Sequence, residues 1–74
     1  MATFDNNTIS YGRVSYNSSS VFVYRSYCDR VALTVPCGTV IYAYWVGRTV
    51  HVKMSNGWTY VYEGFGSYTR NFPS

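Results

Sequence analysis

Apolar and polar residues alternate with period two along much of this 74-residue chain. "VFVYRSY" at 21–27 puts Val21, Val23 and Arg25 on one side and Phe22, Tyr24 and Ser26 on the other. Val31, Leu33 and Val35 alternate in the same way with Ala32 and Thr34. Period-two alternation is the mark of a half-buried strand, because successive side chains point to opposite faces of a sheet. Turn formers interrupt it about every eight to ten residues, at 17–20, 28–29, 36–38, 46–48, 55–57 and 64–66. That rhythm predicts strands near 8–16, 20–27, 30–35, 39–45, 49–54, 58–63 and 67–71. The expected fold is all-β: one domain over 1–74, a compact antiparallel meander of about six short strands in a sandwich or small barrel. It is SH3-like or OB-like in size and strand rhythm only.

The second half carries the most explicit register signal. Asn56-Gly57 suits a two-residue type I′ turn, in which both central residues need positive φ. Such a turn would pair Ser55 with Trp58, Lys53 with Tyr60 and His51 with Tyr62, and likewise Met54 with Thr59 and Val52 with Val61. A two- or four-residue loop around Gly47 keeps the same parity in the preceding strand. Two faces follow. Ile41, Ala43, Val50, Val52, Met54 and Val61 form an aliphatic face, assigned to the core with Trp45 at its rim. Tyr42, Tyr44, Thr49, His51, Lys53, Trp58, Tyr60 and Tyr62 form an aromatic, mildly basic one. Tyr42, Tyr44, His51, Lys53, Trp58, Tyr60 and Tyr62 are therefore the candidate interaction residues.

Composition sharpens the reading. Aromatic residues make up 20% of the chain, nine of them Tyr, while charged residues are only 12%, about half of what an ordinary soluble domain carries. Ala is confined to positions 2, 32 and 43, Leu to 33, and Gln is absent, which removes most helix signals. The net charge of +3 tolerates an anionic partner, but the basic residues stand singly rather than in a cluster. No apolar run approaches the roughly 20 residues of a membrane helix, and no basic start with an apolar run opens the chain. The expected location is cytoplasmic, with no membrane partner. Cys28 and Cys37 are separated by "DRVALTVP", which reads as a strand and would hold them too far apart for a disulfide. Free thiols are expected.

Specific chemistry is sparse. "EGFGSYTR" at 63–70 has the look of an RNA-reading strand, which wants a basic residue, a glycine and two aromatics on one face. Glu63 occupies the basic position and Ser67 the second aromatic one, so the stretch reads as a bend after strand 58–63. The three carboxylates, Asp5, Asp29 and Glu63, lie far apart in sequence. His51 is the single histidine and reads as structural. A four-ligand Cys/His zinc site cannot be assembled from two Cys and one His. No enzyme activity, metal or cofactor is expected. The preferred function is a non-enzymatic interaction module that self-associates, a dimer being favoured, or docks on a larger protein, in the manner of a phage-type accessory or inhibitory protein. A nucleic-acid or nucleotide binder using the aromatic-basic face is the alternative, and a carbohydrate-binding module the third.

Overall fold

The computed structural model describes residues 3–36 and 38–73. A short helix, α1 (Asn6–Tyr11), is followed by seven strands: β1 (Val14–Tyr16), β2 (Val21–Ser26), β3 (Asp29–Ala32), β4 (Val40–Val46), β5 (Thr49–Met54), β6 (Trp58–Tyr62) and β7 (Arg70–Pro73). They form two antiparallel sheets, β1-β2-β3 and β4-β5-β6-β7. The mostly-β expectation holds, as two meanders rather than one.

The expected strand at 8–16 is replaced in its first half by α1. Asp5 caps that helix: its Oδ1 accepts the Thr8 backbone N–H at 2.7 Å, satisfying one of the orphan donors of a first turn. Gly12, at φ 60°, ends the helix by donating its N–H to the Thr8 carbonyl. A residue with a side chain would be strained in that left-handed conformation.

Val21 and Val23 of β2 and Val50 and Val52 of β5 are fully buried, as the alternation predicts. Phe4 plugs the core between the sheets, packing edge-on against Trp45 and Phe65 at 5.1 and 5.0 Å. Phe65 of the 63–70 stretch thus spends its ring on the core, and residues 63–67 form a bend, as expected. Backbone hydrogen bonds link distant segments: Val40 N–H to Ser18 O, Thr34 N–H to Gly66 O and Phe4 N–H to Glu63 O, at 2.8–2.9 Å.

Two features depart from the expected register. Between β5 and β6, Lys53 pairs with Thr59, Val52 with Tyr60, His51 with Val61 and Val50 with Tyr62. The turn is not type I′: among the described residues none but glycine has positive φ, so Asn56 does not. Ser55, Asn56 and Gly57 form a three-residue loop instead, with Gly57 at φ 88° donating to the Met54 carbonyl. Asn56 braces the loop, accepting the Trp58 N–H at 3.0 Å and donating Nδ2 to the Tyr60 hydroxyl at 3.0 Å. A one-residue slip moves every side chain of a strand to the other face. Tyr60 and Tyr62 therefore sit on the core side and are buried, while Val61 faces away with His51.

The second departure lies in β4. Its pairing with β5 runs Val46↔Thr49 to Tyr42↔Lys53, then shifts so that Val40 pairs with Met54. The irregularity at Ile41 puts Val40 into the core and leaves Ile41 50% exposed. The two-residue loop Gly47-Arg48 preserves the parity expected for Tyr42, Tyr44, His51 and Lys53.

Candidate functional site

The slip divides the seven candidate residues. Tyr42, Tyr44, His51 and Lys53 share the outer face of the four-stranded sheet, since Tyr44 pairs with His51 and Tyr42 with Lys53. Tyr60 and Tyr62 line the inner side under Tyr68, whose ring lies 4.6 Å from Tyr60 and 6.1 Å from Tyr62. Trp58 has the same parity but begins its strand beside Pro73 and is exposed. The Tyr62 hydroxyl donates to the Thr34 carbonyl at 2.6 Å, and burial pushes its pKa well above the usual phenol range, helped by Tyr68 and Tyr60.

On the outer face the rings form an unbroken row. Tyr16 meets Tyr42 edge-on at 5.7 Å, Tyr42 stacks on Tyr44 at 5.3 Å, Tyr44 tilts against His51 at 5.6 Å, and His51 meets Phe72 at 5.8 Å. The row starts at β1, passes along β4, crosses β5 and ends on β7. The last contact reaches over β6, where Val61 and Thr59 lie buried between the flanking strands. Tyr42 is 51% exposed, Phe72 42% and Tyr16 40%. Centroid separations of 4.5–7 Å are those of interacting aromatic pairs, so the rings hold one another in place while their remaining faces meet solvent.

Tyr16, Phe72 and Arg70 belong to this surface and were not among the predicted residues. Phe72 falls past the expected last strand, and the register before residue 39 offered nothing to place Tyr16 beside Tyr42. Arg70 reaches the face through the slipped register: it pairs with Val61, which pairs with His51.

The charges of this face are of one sign. Lys53 and Arg70 are its exposed cations. His51 is held below the ordinary imidazole pKa, first by burial and then by the Arg70 charge. No carboxylate occupies a strand position there. Asp5 caps α1, Asp29 pairs with Arg25 at 2.7 Å in the other sheet, and Glu63 lies past the end of β6, lining a recess of about 220 Å³ with Thr3, Phe4, Ile9, Arg48 and Thr49.

The outer side of the three-stranded sheet has its own aromatic-basic cluster. The Arg13 guanidinium lies 5.1 Å from the Tyr24 ring centre and that of Arg30 4.4 Å from Phe22. The Tyr24 pKa is lowered by hydrogen bonds to Ser15 and then Arg30, with both guanidiniums adding to the effect. Here the cations already cover the rings.

Among the described residues no three His, Cys, Asp or Glu side chains gather as metal ligands would. Cys28 is a free, exposed thiol in the turn before β3; Cys37 lies outside the described residues. Among the described residues no helix is long and apolar enough to cross a membrane. No protein-family model, curated protein or solved structure matches the chain.

Proposed function

We propose that this chain is a non-enzymatic binding module, and that the outer face of its four-stranded sheet meets another macromolecule, a second copy included. The observation that carries this reading is the row from Tyr16 to Phe72: contiguous, with Tyr16, Tyr42 and Phe72 exposed, and with Tyr42, Tyr44, His51 and Phe72 set on the side of the four-stranded sheet away from the core. Exposed apolar patches of this kind mark interaction surfaces, and Tyr is enriched at the centres of interfaces. Among the described residues the groups that would support catalysis stand apart: Cys28 in the β2–β3 turn, His51 in β5, Asp5 at the start of α1, Asp29 in β3 and Glu63 past the end of β6.

The test is a Tyr42→Ser/Tyr44→Ser double variant beside the wild type, followed by light scattering over a concentration series and by thermal melting. The wild type is expected to rise above its 8.5 kDa monomer mass and the variant to stay monomeric. Surface changes should leave stability within about 0.5 kcal/mol. A wild type that stays monomeric at every concentration removes the second copy as a partner. A double variant that unfolds removes the face itself, because its rings would then be part of the core.

A further inference from the structure

We propose that the occupant of the outer face is a single-stranded nucleic acid, its bases stacked on the ring row and its phosphates met by Lys53 and Arg70. This rests on the binding-module reading and gives it a partner.

The first support is charge complementarity. The strand positions of this face carry cations and no carboxylate, although the chain owns Asp5, Asp29 and Glu63: Asp5 caps α1, Asp29 pairs with Arg25, and Glu63 lies past the end of β6 beside a recess. An anionic polymer fits that distribution. A protein surface of mixed charge has no acid on this face to pair with its own cations. The second support is the combination itself. Sequence-tolerant single-strand binders join flat rings, which accept any base, to basic side chains that follow the backbone. Lys53 is the register partner of Tyr42 in the middle of the row, and Arg70 lies beside His51 near its far end.

The third support is the contrast between the two sheets. On the three-stranded sheet the Arg13 and Arg30 guanidiniums already lie over Tyr24 and Phe22, which obstructs a base that would stack there. On the four-stranded sheet the ring contacts are with one another, and the exposed parts of Tyr16, Tyr42 and Phe72 are left for a ligand. A duplex hides its base faces within its own stack, so the inference specifies single strands.

The experiment is fluorescence anisotropy with a labelled oligothymidylate of about 15 nucleotides, which suits a domain of this size, and with a duplex of equal length. The single strand is expected to bind more tightly than the duplex. Two phosphate contacts, by Lys53 and Arg70, predict an affinity loss of about sevenfold between roughly 50 and 200 mM salt. Tyr42→Ala and Tyr44→Ala are each expected to weaken binding at least about fivefold, as loss of one stacked base does. Lys53→Glu is expected to weaken it further and to flatten the salt dependence. Three results overturn the inference. One is no binding of the single strand by a folded protein; if the Tyr42→Ser/Tyr44→Ser variant still changes self-association, the binding-module reading survives alone. The second is binding indifferent to the Tyr42 and Tyr44 changes. The third is binding abolished by Arg13→Ser/Arg30→Ser with those two tyrosines immaterial, which moves the ligand to the other sheet.

Discussion

Tyr62 shows how much one buried hydroxyl does in a core this small. Its ring has no exposed surface, and its proton goes to the Thr34 carbonyl across the gap between β6 and the segment after β3. Tyr62→Phe keeps the ring and strands the carbonyl, so a loss of about 1 kcal/mol is expected, read from denaturant midpoints at unchanged m. Because the folded-state pKa is raised, the wild type keeps this contribution below the unfolded phenol value of about 10 and loses it as pH rises beyond. Tyr62→Phe should soften that alkaline decline. A variant with wild-type midpoint and alkaline limb would show the bond to be idle. His51 runs the other way. Its lowered pKa means that the unfolded chain binds the proton more readily. Its stabilising effect is therefore complete above the unfolded value of about 6.5 and falls as pH drops towards the folded one. Arg70→Gln removes the second cause of the shift and should raise the His51 pKa, followed by NMR of the imidazole protons. No change would place Arg70 out of reach of the ring.

The β5–β6 hairpin decides which side chains of β6 lie on the outer face, and its loop is where the sequence misleads. Asn56-Gly57 marked a turn correctly in place but not in length. The two-residue and three-residue loops both want glycine at 57, and the two-residue type I′ turn asks positive φ of Asn56 as well. The side-chain bonds from Asn56 to Trp58 and Tyr60 are compatible with negative φ, and no alternation pattern announces them. Gly57→Val should cost about 1–2 kcal/mol in a thermal melt, from backbone strain alone, since nothing lies within 4 Å of an added Cβ. An unshifted melt would contradict the φ of 88° at this residue. The bounds of β5 were legible from the sequence, and so was the burial of Val21, Val23, Val50 and Val52, because period-two valines admit few other readings. The shift at Ile41 was not legible, since an irregularity in pairing leaves no residue signature when the displaced side chain is also aliphatic. Helix α1 was not legible, and a strand was expected from residue 8. Asp5 and Gly12 are a cap and a stop, but the six residues between them lack the apolar periodicity that would have joined the two signals.

At the scale of the whole molecule, aromatic content is divided between two tasks. Phe4, Tyr60, Tyr62 and Phe65 serve the interior, and Tyr16, Tyr42, Tyr44 and Phe72 lie on the outside. Composition reported the total and could not divide it, because the division follows from several strand registers and from the packing of Phe4 and Phe65 outside the strands. The placement of Phe4 has a further bearing, on the speed at which the molecule forms. Its ring seals the space between Trp45 and Phe65, and its amide bonds to Glu63. Each β-hairpin can close from neighbouring residues, but this plug requires segments from opposite ends of the described chain to meet. Contacts between remote segments carry a large loop-closure cost and slow the search for the native state. Packing of Phe4 is therefore expected late in assembly, and Phe4→Leu should raise the unfolding rate and leave the folding rate nearly unchanged when both are read from denaturant-dependent kinetics.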